Sequence, residues 1–329
     1  MKHNLLIPII FFSFVSCNQE LVKNKKVTGS VFGTTYSVIY NSDKRIDFEP
    51  QFDSIFYIIN KSMSTYEQNS IISKLNRNED VMLDEHFITV FDASKEIYNS
   101  TDGVFDPTIG VLVNAWDFGP EGTIKNLDSL KIKELMHSVG LNNVKISGNK
   151  LIKKHKNTYL DFNAIAKGYA VDVISEFLDD KDIANYLVEI GGEIKAQGIN
   201  IDKLKDWKIG VENPNFDGTQ SIFKAISIKN AAMATSGTYR KFKIDSLGNR
   251  YAHIIDTKTG YPSETNLLSV SVVTNDCITA DAYATAFKAM GIENVTHFLQ
   301  SHPELKAFLI FENDKGEFET LSLNEFPDN

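Results

Sequence analysis

Asp281 and Thr285 stand four residues apart in Cys277–Gly291, CITADAYATAFKAMG, a stretch that is otherwise apolar on nearly every side. In a helix that spacing puts a carboxylate and a hydroxyl on one face, both offering oxygen. A helix apolar all round belongs in a core, and an ionised carboxylate in a core is expensive unless it is paired or coordinates a metal. Two readings are open. Asp281 could complement the helix dipole in the first turn while Thr285 bonds a carbonyl one turn earlier. Alternatively, both oxygens face a hard divalent cation, with Asp281 as an anchor of the chemistry.

Five further segments carry reactive side chains or exposed backbone. GVFDPTIG places Asp106 in a Gly/Pro loop, which by itself reads as an Asp-Pro turn. LDFNAIAKGYAVD sets Asp161 and Lys167 six residues apart at a strand-to-helix junction, where backbone amides and a helix N-terminus can meet an anion. EIGGEI offers either a hairpin turn or a backbone that a ligand can approach closely. MATSGTYRKF supplies hydroxyls and a glycine and reads as a turn beside an apolar strand. AHIIDTKTGYP brings His253 and Asp256 to the end of a strand before a Thr-Gly-Tyr-Pro turn.

The elements that must position these residues are legible from periodicity. GTTYSVIY alternates as a strand, and Phe52–Met63 and Glu85–Asn99 carry helical apolar stripes. TDGVFDPTIG is a loop. YLDFNAIAKGYAVDVISEFL begins extended and becomes helical near Ile165. YLVEIGGEIKAQG reads as two short strands about Gly-Gly, followed by strands in WKIGVE, KAISIKN, YAHIIDT and LLSVSVVT. No internal repeat or low-complexity tract is present. The expected fold class is α+β, a single unit with largely antiparallel sheets and packed helices.

The 329 residues suffice for one large or two ordinary domains, and the composition is that of a globular protein. A formal net charge of -9 disfavours nonspecific nucleic-acid binding, which needs a basic face. At the N-terminus, Lys2 precedes an apolar run, Leu5–Val15, too short to span a bilayer, which reads as the core of a signal peptide. It ends in FVSC, where small Ser16 before Cys17 resembles a bacterial lipobox. The expected organisation is a signal at 1–16, a lipidated Cys17, a polar tether at 17–26 and one domain at 27–329. Acylated Cys17 would anchor an exported domain to a membrane. Cys277 then remains as a lone thiol, a small buried hydrophobe rather than a nucleophile.

Taken in order, FGTTY (from Phe32), MSTY (Met63–Tyr66), FDPTIGVLVNAW (Phe105–Trp116), DFNAIAKGYAVD (Asp161–Asp172), EIGGEIKAQG, ATSGTYRKF, HIIDTKTGYP and TADAYATAF resemble the ApbE-like flavin transferases. Phe32 stands where methionine is common in that family. The resemblance implies the flavin-transferase fold, with FAD as substrate in a cleft. It implies transfer of FMN to a threonine hydroxyl of an acceptor redox protein, with release of AMP. It places metal ligands, for magnesium or manganese, at Asp281, Thr285 and the carbonyl of Ala164. It places FAD contacts at Tyr66, Phe105, Asp106, Asp161, Lys167 and Ile255. His253 has the pKa range of a general base; Asp256 or a metal-bound water is the alternative. An FAD pyrophosphatase using water as nucleophile, and a non-catalytic flavin-binding lipoprotein, are the competing functions.

Overall fold

In TTYSVIYN every second side chain from Tyr36 is buried, so one face of this strand must lie on a core. The computed structural model of the chain describes residues 23–42, 46–124, 127–239, 241–244, 248 and 250–328. The expected signal segment and Cys17 lie outside the described residues. Strand β1 (Asn24–Val31) pairs antiparallel with β2 (Thr34–Asn41) through the Phe32-Gly33 turn. The chain is therefore in the sheet from Asn24, inside the stretch expected as tether.

Helices α1 (Glu49–Met63), α2 (Ile71–Asn76) and α3 (Glu85–Ser100) follow. Their starts are written locally. Pro50 opens the first turn of α1, while Ser70 and Asp84 cap α2 and α3 by accepting from the amides of Ser73 and Phe87. Phe52, Phe56, Ile59 and Met63 form the buried stripe of α1. Short helices α4 (Gly110–Ala115) and α5 (Ser129–Met136) and the hairpin of β3 (Val144–Ser147) and β4 (Lys150–Lys153) lead to α6 (Ala166–Asp179).

Strands β5 (Tyr186–Ile190) and β6 (Glu193–Gln197) flank the Gly191-Gly192 turn. Strands β7 (Trp207–Glu212) and β8 (Ile222–Ile228) make a separate hairpin. After them come β9 (Ala231–Gly237), the short pair β10 (Phe242–Ile244) and β11 (Arg250–Ala252), and β12 (Leu267–Thr274). Helices α7 (Cys277–Met290) and α8 (Ile292–Leu299) and strands β13 (Lys306–Glu312) and β14 (Phe318–Leu323) complete the order.

Among the described residues eight strands form one sheet, in the order β1-β2-β5-β6-β9-β12-β13-β14, antiparallel at every pairing. The architecture is α+β, as the sequence patterning predicts. Helices α6 and α7 cover one face, and α1 and α3 pack on them. The β7–β8 hairpin covers the other face, where Trp207, Ile209 and Ile226 meet Ile194, Met233 and Ile310. No helix among the described residues is long and apolar enough to cross a membrane.

Two expectations are corrected. MATSG is not a turn but the body of β9, paired with β6 and β12 in the middle of the sheet. Its small residues carry little strand propensity alone; they are required because α7 lies directly on this strand. YAHIIDT is strand only to Ala252. Beyond it Ile255 makes a single bridge to Pro262, because the chain folds back on itself through Asp256 N–H to Tyr261 O and Ser263 N–H to Ile254 O.

Helix α6 is locked to β6 by two ion pairs of opposite polarity. Lys167 meets Glu193, and Asp172 accepts from Lys195 Nζ at 3.0 Å. Asp172 also takes the amides of Cys277 at 3.0 Å and Ile278 at 2.8 Å, which ties the start of α7 to α6. Removing one partner of such a pair strands the other charge. Asp172→Ala is expected to destabilise the fold by about 3 kcal/mol; a urea midpoint indistinguishable from wild type overturns this role.

Candidate active site

The anchor of the site is a close approach of two helices. A Cβ on Gly168 would lie 2.2 Å from the Cys277 carbonyl oxygen and 2.7 Å from Asp281 Cβ, so only glycine lets α6 meet α7 there. At that contact the Gly168 amide donates to Asp281 Oδ2 at 2.9 Å. The side chain of Asp281 is 4% exposed. Burial pushes its carboxyl up, against the Lys167 ammonium and the Gly168 amide, which favour the anion. Asp276 caps α7 by accepting from the Thr279 amide, so the first turn is already supplied with an acid and Asp281 lies one turn further in. One turn beyond Asp281, Thr285 Oγ1 bonds Ser236 Oγ of β9 at 3.0 Å, not a carbonyl of its own helix.

Asp281 and Thr285 open into a cavity of about 850 Å³. Its wall contains ten of the residues singled out in the sequence: Tyr66, Phe105, Asp106, Asp161, Ala164, Lys167, His253, Ile255, Asp281 and Thr285. Phe32 also lines it and stands edge-on to Phe56 at 5.8 Å. Lys167, in the first turn of α6, reaches the floor with its ammonium on Glu193. Burial works to lower its pKa, but Glu193 and Asp281 hold it above the usual lysine value. Asp161 accepts from the Asn163 amide at 2.8 Å and is pushed up by burial. Tyr66 stands 60% exposed at the mouth, its phenol raised by partial burial and by Asp161.

His253 also lines the cavity, edge-on to Phe118 at 6.2 Å. Its Nδ1 lies 3.0 Å from the Lys241 carbonyl. A carbonyl can only accept, so Nδ1 carries the proton and Nε2 is left with a free lone pair. Burial, together with the charges of Lys241, Lys167 and Lys288, lowers the imidazole to about 4, and it is neutral at physiological pH.

Among the described residues no three His, Cys, Asp or Glu side chains stand together as a metal cluster. What the cavity does offer is a mixed oxygen set: one buried carboxylate on Asp281, the Thr285 hydroxyl and the backbone at Ala164. A hard cation that keeps positions for a substrate phosphate accepts a set of this kind.

The ApbE family model matches residues 32–309. The chain belongs to the ApbE family. It is similar to a protein of Haemophilus influenzae named FAD:protein FMN transferase, with 34% identity over 95% of this chain and 93% of that one. A Vibrio cholerae protein of the same name is 32% identical over 98% of each chain. Among solved structures, the flavin transferase ApbE from Vibrio cholerae superposes with a TM-score of 0.81 at 32% identity, covering 92% of this chain and 97% of that one. The apo flavinyl transferase ApbE of Pseudomonas stutzeri gives 0.82 at 30% identity, covering 92% and 95%. This ApbE-family chain is a transferase with the α+β fold of those structures.

Some acids near the cavity already have donors of their own. In this ApbE-family chain Asp106 uses Oδ1 on the Thr108 amide and hydroxyl at 2.8 and 2.6 Å, and Oδ2 on the Leu141 amide at 3.3 Å. It braces the loop that presents Phe105. Asp256, the alternative base, accepts from the Lys258 amide at 2.7 Å and is not part of the cavity wall. Thr257 Oγ1 and Trp116 Nε1 tie the two loops together through Gly103 O at 2.6 Å and Gly260 O at 2.9 Å.

Sequence reading missed Glu193, Ser236, Phe118 and Lys241, all in the cavity wall. Glu193 had a signal: an acid directly after Gly-Gly, at the start of a strand whose other face is apolar. Burial, opposed by the Lys167 ammonium and reinforced by Asp281, pushes its carboxyl up to about 7. A carboxyl raised on folding from 4.5 gives stability that is complete below 4.5 and lost as pH climbs through about 7. The unfolding temperature of ligand-free wild type, minus that of Glu193→Gln, is therefore expected to fall between about pH 5 and about pH 8. A difference that stays flat across that range contradicts the shift.

Proposed function

We propose that the protein is a magnesium-dependent FAD:protein FMN transferase that esterifies FMN to a threonine hydroxyl of an acceptor redox protein and releases AMP. The observation that carries this reading is the convergence, on one cavity floor, of Lys167, Asp281 and Thr285, with a neutral, correctly tautomeric His253 on the rim. The names borne by its relatives support the same class.

The chemistry asks for three things. The negative charge of the diphosphate must be balanced, the nucleophile must face the phosphorus, and the proton of the attacking hydroxyl must be removed. Lys167 supplies a point charge at the floor. Ala164 O, Asp281 and Thr285 would hold magnesium, which when bound screens the diphosphate and polarises its phosphoryl oxygens. Tyr66 and Phe105 offer aromatic faces suited to an isoalloxazine, and Ile255 an apolar contact.

In the transfer, the threonine oxygen forms a bond to the FMN-side phosphorus, the bond from that phosphorus to the bridging oxygen breaks, and AMP departs with that oxygen. The threonine proton passes to His253 Nε2. An imidazole near 4 is a weak base, held down by burial and in part by three lysines. The anionic diphosphate offsets those charges, so substrate itself raises His253 toward the working range.

We assign the segment at 1–16 as a cleaved export signal and Cys17 as a lipid anchor, which places the domain on the outer side of a membrane. The short apolar run Leu5–Val15 and the Ser16-Cys17 junction support this. Cys17→Ala is expected to abolish incorporation of labelled fatty acid and to move the protein from the membrane to the soluble fraction; unchanged labelling removes the anchor.

The central experiment incubates purified protein with FAD, magnesium and an acceptor bearing an accessible threonine, and weighs the acceptor by mass spectrometry. The expected gain is that of FMN less water, with one AMP per ester. Asp281→Ala is expected to abolish metal-dependent transfer while remaining folded, and His253→Ala to slow it by roughly two to four orders of magnitude. AMP released at the same rate without acceptor makes water the nucleophile and overturns the transferase reading.

A further inference from the structure

Glu193 begins β6 immediately after the Gly191-Gly192 turn and is 3% exposed. Its Oε1 accepts from the Lys167 ammonium, while Oε2 is buried with no hydrogen-bond partner. A carboxylate oxygen left without a donor works against folding, and an apolar side chain of similar size would suit the fold better. The side chain therefore answers to something other than stability. Its counterpart two residues on, Lys195, pairs with an aspartate that has two backbone amides as well. That second pair is satisfied and structural; the Glu193 pair is neither fully satisfied nor remote from the cavity.

Lys167 has two acids within electrostatic reach, Glu193 and Asp281. Its stem is long and has several rotamers, so the ammonium settles on whichever carboxylate holds it. If it settled on Asp281, it would occupy the only carboxylate of the proposed oxygen set. The geometry points to Glu193 as a positioning residue that holds the Lys167 ammonium off Asp281, leaving that carboxylate open to a divalent cation and the ammonium turned toward the substrate. This rests on the reading of Asp281 as a cation ligand given above. Gly168 makes the arrangement possible from the other side, since its amide takes Asp281 Oδ2 and fixes the carboxylate in place.

The test measures magnesium binding to the FAD-free full-length protein by titration calorimetry, with circular dichroism confirming the fold of each variant. Glu193→Ala is expected to weaken magnesium binding about tenfold or more, because Lys167 then falls onto Asp281. Glu193→Ala combined with Lys167→Ala is expected to restore wild-type affinity, since nothing remains to compete. Glu193→Gln, which keeps an acceptor for the ammonium, is expected to lie between, and serves if the alanine variant does not fold. Unaltered affinity in Glu193→Ala, or loss not recovered by the second substitution, overturns the proposal; the latter result makes Glu193 a direct ligand. Asp281→Ala separates the two levels of argument. If that variant binds magnesium as wild type does, the cation site itself is wrong and this inference falls with it, whereas failure of the rescue alone leaves the cation site standing.

Discussion

The contact from which the rest of the site follows is the Gly168 amide donating to Asp281 inside a largely apolar helix. An acid at that depth is tolerated only where its charge is answered, and here one backbone donor and one nearby ammonium do part of the answering. The contact sets the geometry of everything near it. Helices α6 and α7 must touch closely enough to exclude a Cβ, and α7 must lie flat on β9, whose Ala232 and Ala234 are fully buried beneath it. The alanines of α7 and the small residues of β9 are thus consequences of one requirement: bringing a carboxylate, a hydroxyl and a lysine to one surface.

The floor and the rim of the cavity are built on different principles. Asp281, Thr285, Lys167, Glu193 and Ser236 all project from helices or strands of the main core, and their positions are fixed by pairing and packing. Tyr66, Phe105, Asp161 and His253 stand on connecting segments, and there the chain spends its own polar groups on bracing. Asp106 holds its loop, Asp256 holds its turn, and Thr257 joins the two loops. A close backbone contact at Gly110, whose Cβ would lie 2.7 Å from the Tyr159 ring and 2.9 Å from Asp161 Cβ, seats the first of these loops against the segment that carries Asp161. For the proposed phosphoryl transfer, charged groups on rigid elements and aromatic rings on braced loops would be a fitting division, since charge chemistry tolerates little displacement.

How much of this was legible before any coordinates follows the same division. The long amphipathic helices and the Gly-Gly hairpin could be read because their periodicity and punctuation are local; α1 and α3 end within a few residues of their expected limits. Strand β9 could not be read, because MATSG becomes a strand only through pairing with β6 and β12. The stretch after Ala252 failed in the opposite sense: apolar residues that suggest a strand instead serve a fold-back at the cavity rim. Residue types named Asp106 and Asp161 with equal force, yet only the structure shows that Asp106 has three donors from Thr108 and Leu141 while Asp161 is held by Asn163. Glu193 was hidden for the same reason. Its meaning lies in Lys167, 26 residues earlier in the chain and on a different element.

Burial dominates the electrostatics of the cavity. Burial, with three lysines adding to it, lowers His253, two carboxylates lie near one of those lysines, and the carboxyls of Asp281, Glu193 and Asp161 are all pushed above their ordinary values by burial. Each of these shifts records a charge that the protein alone leaves incompletely balanced. A dication and a dianionic diphosphate entering together would cancel them in pairs, cation against Asp281 and diphosphate against Lys167 and the environment of His253. Neither ligand alone would do so: a cation without the diphosphate would add to the positive field at His253, and a diphosphate without the cation would meet Asp281 and Glu193. In the proposed reaction those unbalanced charges would couple the two ligands, each favouring the other's binding through the field of the residues between them.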